Sequence, residues 1–148
     1  MRHAIAPGTN DPSGFRLGDC STQRNLSEAG RDQARAIGAR LREADVVPYV
    51  VATSQWCRAR DTAELLALGP PEEWPEINSF FAGRGDRAAQ TEATLARIAA
   101  LPDDAVALLV THQVNITALT GIVPQSGEII VTRRDGNALT VVGRLPPE

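Results

Sequence analysis

The chain has 148 residues, 43% hydrophobic and 22% charged, with a formal net charge of −3 and a pI near 5.4. That length suits one domain with a single core, and the mildly acidic balance gives no footing for nucleic acid or an anionic membrane surface. All 15 basic residues are arginine, so Schiff-base and lysine–phosphate chemistry are excluded. Aromatic residues make up only 4%, too few for a single-strand stacking platform.

In chain order, His3 stands where the carboxyl end of a buried strand is expected, with only two residues before it. The first strand is therefore expected to be cut short, or completed by a natural start upstream, with or without an export signal. No stretch is apolar enough to span a membrane and no signal peptide is visible, so the chain as written reads as cytoplasmic, and as periplasmic or exported if the start lies upstream. Residues 5–25 form a Gly-, Pro-, Asp- and Asn-rich loop without apolar period. Ser27 caps a helix over residues 28–44, with Ala34, Ile37, Gly38 and Leu41 on one face. Residues 48–53 read as a buried strand. Residues 58–68 read as a helix stopped by Gly69, Pro70 and Pro71. A looser strand is expected over 76–81, before the Gly83-Arg84-Gly85 turn. Asp86 then caps a helix to about Leu101, followed by a strand over 105–110 and a short helix over 114–121. Strands at 128–133 and 138–145 flank Asp135-Gly136, a hairpin turn signal.

Alternating strands and helices predict an α/β fold: a three-layer α/β/α sandwich with a mostly parallel sheet and a C-terminal antiparallel hairpin, one domain over residues 1–148. There is no internal repeat or low-complexity tract. Ligands in such sheets gather beyond the carboxyl ends of the strands. Both histidines of the chain, His3 and His112, fall at such ends, as does Arg58. A cation heading a helix opposes the positive end of the helix dipole, which favours an anion-binding role for Arg58. The plainer readings are a frayed terminal His3, a structural His112 and surface charges at Arg60 and Asp61.

Arg2-His3-Ala4, the run from Asn25 through Leu26, Ser27, Glu28, Ala29 and Gly30 to Ala34, the segment from Thr53 and Ser54 to Arg58-Ala59-Arg60-Asp61-Thr62-Ala63, and Val110-Thr111-His112 together resemble the histidine phosphatase superfamily, which includes cofactor-dependent phosphoglycerate mutases and many small bacterial phosphatases. The resemblance covers residues 2 to about 115. It implies that His3 is the phosphorylated nucleophile and that Arg2, Arg58 and His112 hold the phosphoryl oxygens, with neither metal nor cofactor. It implies a small phosphorylated substrate, while charge, aromatic content and hydropathy argue for no nucleic acid and no membrane insertion. The chemistry supports these roles: imidazole has an ordinary pKa of about 6.5 and is nucleophilic when neutral, and arginine forks match phosphate geometry. Arg24, Asn25 and Gln113 are candidates for the substrate side; Gln113 replaces a glycine common after the second histidine.

A general acid is harder to find. The phytase-like branch has Asp where this chain has Gln113, and the mutase-like branch uses a mid-chain Glu, for which Glu76, Asp86 and Glu92 are candidates. Asp86 is the best placed, although an N-cap role explains it more simply. Without an acid, leaving groups that need little protonation are favoured: phosphoramidates, anhydrides or aryl phosphates. The chain has little room for a mutase-like lid, so the expectation is a phosphatase rather than a mutase. The alternative is a non-catalytic phospholigand-binding domain that kept the cationic pocket.

Cys20, in the loop, and Cys57, before Arg58, come near each other if both approach the pocket. Similar sequences with this pairing resemble exported bacterial proteins. Two cysteines do not establish a disulfide, and both states stay open here; a bond would pin the loop to the phosphate site and fit an oxidising compartment. A zinc site from positions 3, 20, 57 and 112 lacks the paired spacing of structural zinc motifs.

Overall fold

A computed structural model describes residues 1–148. β1 (Val50–Thr53) lies at the centre of a parallel three-stranded sheet, between β2 (Pro71–Glu73) and β3 (Ala107–Val110). Side chains on successive strand positions point to opposite faces, and here both faces are covered. Val51, Leu108 and Val110 pack with Ile37 of α1 (Glu28–Glu43) and with Ala59, Ala63 and Leu66 of α2 (Cys57–Leu66). Val50, Ala52 and Leu109 pack on the other side with Trp74, Ile77 and Ile98 of α3 (Arg87–Ala99). The expected α/β sandwich with a parallel sheet is therefore present. α1 and α2 approach so closely that a Cβ on Gly38 would lie 2.1 Å from the Leu66 carbonyl oxygen.

The N-terminal residues form a stub of strand beside β3. The Met1 amino group donates to Leu109 O at 2.8 Å, and Arg2 bridges Thr111 in parallel. His3 N donates to Thr111 O at 2.9 Å. α4 (Gln113–Thr120) follows β3, with His112 as its N-cap. β4 (Ile129–Asp135) and β5 (Ala138–Leu145) make the expected antiparallel hairpin, turning at Gly136 (φ 60°). The hairpin does not join the three-stranded sheet. Arg2 N reaches Glu128 O, and beyond Met1 an apolar groove lined by Leu108, Ile129 and Val131 separates the two sheets.

One expected strand is displaced. Residues 76–81 hold short 3-10 turns, Pro75–Ile77 and Phe81–Gly83, while pairing with β1 is made earlier, by Pro71–Glu73. A proline is tolerated on an edge strand, where its missing N–H is not needed. Pro75 then starts the turn that buries Trp74 and Ile77, which are 1% and 0% exposed.

Candidate active site

Four segments meet beyond the carboxyl ends of β1, β3 and the N-terminal stub. The stub delivers Arg2 and His3, the β1–α2 junction Arg58, and the β3–α4 junction His112 and Gln113. The loop over residues 5–25 brings Asp11 and Arg24. These line one pocket with Ser79, Phe81 and Arg84.

His3 is 2% exposed. Its Nδ1 lies 2.8 Å from the Ala4 carbonyl, which can only accept, so Nδ1 carries the proton and Nε2 keeps a lone pair. Arg58 Nε donates to that Nε2 at 3.2 Å. Burial first, then the Arg58 charge, pushes the His3 pKa down to about 3. His112 sits 5.5 Å from His3 between ring centroids, and its Nε2 pairs with Ser54 Oγ at 2.7 Å. Ser54 Oγ also accepts from Trp56 N at 3.2 Å and donates to Asn78 Oδ1 at 3.3 Å, and His112 Nδ1 is buried without a partner. Burial, and then the charges of His3 and Arg58, hold the His112 pKa well below its ordinary value.

The arginines are anchored from behind. Arg2 donates to Pro124 O at 3.0 Å, and Arg24 donates to Ala6 O and Gly8 O. Burial and the neighbouring Arg58 pull the Arg24 pKa down to about 10, still cationic at neutral pH. Arg2 Nε and Arg24 Nε are buried without partners. Each such donor costs about 1–3 kcal/mol until something accepts from it. Crowded guanidiniums with unsatisfied donors make a receptor for an oxyanion.

The loop over residues 5–25, which shows no apolar period, supplies a residue that sequence reasoning missed. Asp11, its side chain 6% exposed, accepts from Arg58 Nη1 at 2.8 Å and Nη2 at 3.3 Å, from Trp56 Nε1 at 3.0 Å and from Arg24 N at 3.1 Å. Burial raises the Asp11 pKa, but the Arg58 hydrogen bond and charge outweigh it, so the net shift is downward and the group is ionised. Asp11 thus positions Arg58 and holds no proton to give. No periodicity marks such a residue; its only sequence signal is a carboxylate in a loop rich in Gly and Pro. Cys20 and Cys57 form a disulfide across 37 residues, and Gln23 Oε1 accepts from Cys57 N at 3.0 Å, capping α2 from the same loop.

Two expected site residues are not brought to the pocket. Asp86, expected among the catalytic residues, is exposed and caps α3, accepting from Ala89 N at 2.9 Å. Its place in the catalytic set is corrected to a structural one, because the turn before α3 leaves its carboxylate on the helix end. Asn25, expected on the substrate side, donates from Nδ2 to Cys20 O at 2.7 Å and braces the loop from behind. Arg24 and Gln113 do line the pocket.

The neutral histidines predict a pH-dependent fold. The unfolded histidines take up protons below about pH 6.5, whereas folded His3 resists until about pH 3. The stability they contribute is complete above pH 6.5 and is lost as pH falls through that window. The loss is about 1.4 kcal/mol per pH unit for each histidine. Melting followed by circular dichroism should show Tm falling by roughly 10 °C between pH 7.5 and 5.0. A flat Tm across that range would contradict neutral burial.

The family model for the histidine phosphatase superfamily (branch 1) matches residues 16–87. No curated protein matches the sequence. Among solved structures, the chain is similar to the protein histidine phosphatase SixA complexed with tungstate, at 20% identity and TM-score 0.69, covering 99% of this chain and 94% of that one. It is similar to the product of open reading frame Rv3214 from Mycobacterium tuberculosis, at 16% identity and TM-score 0.72, covering 99% and 96%. It is also similar to Bacillus stearothermophilus YhfR, at 17% identity and TM-score 0.69, covering 95% and 92%. These likenesses place the fold. The family model matches just under half of the chain, and within that segment the chain is similar to the histidine phosphatase superfamily.

Proposed function

We propose that the protein is a metal-independent phosphatase that hydrolyses a phosphomonoester or related phosphoryl compound through a phosphohistidine on His3. One observation carries this reading: the His3 tautomer leaves Nε2 unprotonated beside three arginines whose spare donors suit phosphoryl oxygens. In the first step the Nε2 lone pair bonds to phosphorus and the bond to the leaving oxygen or nitrogen breaks. In the second, water attacks phosphorus, the P–N bond breaks, and inorganic phosphate departs with Nε2 restored. Arg2, Arg24, Arg58 and His112 would stabilise charge on the equatorial oxygens, and positioning with electrostatics supplies most of the catalysis in such transfers. The structurally similar protein histidine phosphatase SixA is complexed with tungstate, an oxyanion, which supports an oxyanion-binding pocket here. Guanidiniums around a single, already paired carboxylate make a poor cation site, which supports metal independence.

The only carboxylate in the pocket is Asp11, ionised and held by Arg58, so no side-chain acid stands ready for the leaving group. This favours aryl phosphates, anhydrides or phosphoramidates over simple alkyl esters. Rapid acid or alkali quenching of the protein with radiolabelled acetyl phosphate should trap label on His3 that survives alkali and is lost in acid. Steady turnover should be unchanged by a chelator. Label that survives acid, or activity that dies with the chelator, would refute the mechanism.

A further inference from the structure

Arg84 is a pocket arginine that phosphate binding does not absorb. Arg2, Arg24 and Arg58 are each anchored by protein oxygens, but Arg84 has no carboxylate or carbonyl partner. It lies instead over the ring of Phe15, 4.4 Å from the centroid. Phe15 stacks on Trp56 at 5.0 Å, and Trp56, 4% exposed, meets His112 edge-on at 5.5 Å. An aromatic stack thus runs from the phosphate pocket to the rim and props a free guanidinium there.

The backbone contributes to this placement. Ala82 (φ 55°) and Gly83 (φ 72°) both take the left-handed region immediately before Arg84. That region costs about 1 kcal/mol or more for a residue with a Cβ. The turn swings Arg84 back toward the loop over residues 5–25, while Phe81, 46% exposed, forms the adjoining apolar lip. Asp11 neutralises one of the four guanidiniums. A phosphate dianion cannot neutralise the other three, and the surplus sits outermost. The Arg84 charge is felt by Arg58, whose pKa it lowers, although burial is the larger cause.

We infer that the rim formed by Phe15, Arg84 and Phe81 is a second-anion subsite, so that the preferred substrate is a phosphorylated compound whose leaving group carries a further oxyanion, a carboxylate or a second phosphoryl group. This rests on the phosphatase reading above. Phe81 would touch the carbon body of the leaving group, and Arg84 would hold its distal charge.

The test compares 3- and 4-carboxyphenyl phosphate with their neutral carbamoyl counterparts. The wild-type protein should favour one carboxylate by about tenfold in kcat/KM, and that preference should shrink as salt is added. Arg84→Gln should abolish the preference while changing kcat/KM for the carbamoyl substrates less than about twofold, and Arg84→Lys should retain part of it. Equal rates on both substrate types in the wild type, or an equal loss on both in Arg84→Gln, would overturn the subsite. Calorimetric titration with carboxybenzyl- and carbamoylbenzylphosphonate makes the same comparison without turnover. A charge preference in binding with no hydrolysis of either phosphate would sink the catalytic reading and keep the subsite. Equal phosphonate binding would sink the subsite alone.

Discussion

His3→Ala should abolish turnover of aryl phosphates, lowering kcat by about 10⁴ or more, and should still bind inorganic phosphate. Removing a nucleophile that forms a covalent intermediate eliminates the pathway rather than weakening one contact. The imidazole makes two hydrogen bonds, to Ala4 O and from Arg58 Nε, so its loss leaves the arginines on their own anchors. Phosphate should therefore raise the Tm of the variant and of the wild type alike. Arg58→Ala should behave differently. It strips the buried Asp11 of its partner, costs about 3–5 kcal/mol of stability, and loses both phosphate stabilisation and activity. Steady-state rates beside melting curves with and without 10 mM phosphate (about that concentration suffices for mass action) separate the two roles. More than about 1% of wild-type kcat in His3→Ala would end its assignment as nucleophile.

Breaking the Cys20–Cys57 bond should have the second-largest effect. The bond closes a loop of 37 residues, for which the chain-entropy account gives about 4 kcal/mol. Reduction, or the paired Cys20→Ser and Cys57→Ser substitutions, should lower Tm by roughly 10 °C in a chain of this size. Activity should fall too, mainly through KM. The bond, the Gln23 cap on α2 and the Asp11 contact with Arg58 all tie the same loop to the base of the pocket. Once the bond is cut, the loop must be ordered by substrate at each encounter, which weakens apparent binding. Identical melting curves under oxidising and reducing conditions would show that the loop is held without the bond.

Much of this protein is legible in the order of its residues. The apolar face of Ala34, Ile37 and Gly38 specifies α1, Ser27 caps it by accepting from Gly30 N, and Asp135-Gly136 turns the hairpin, because these signals act within a few residues. Arg2, His3, Arg58 and His112 could be singled out because a parallel sheet brings its strand ends together whatever lies between them. Three matters depended on packing across long separations. The edge strand fell at Pro71–Glu73 rather than 76–81 because Trp74 and Ile77 had to be buried under β1 and α3, a demand that no local period expresses. Asp86 and Asn25 have the right chemistry for a site, yet one caps a helix and the other braces a loop; only the path of the backbone decides where a side chain ends up. Asp11 meets Arg58 across 47 residues and Cys20 meets Cys57 across 37. The sequence by itself placed His3, Arg58 and His112 at strand ends, the residue types that the proposed phosphoryl chemistry uses. The tertiary structure decided which carboxylate faces the arginines, which loop is pinned, and where the surplus charge of Arg84 stands, because each is a contact between segments that only folding brings together.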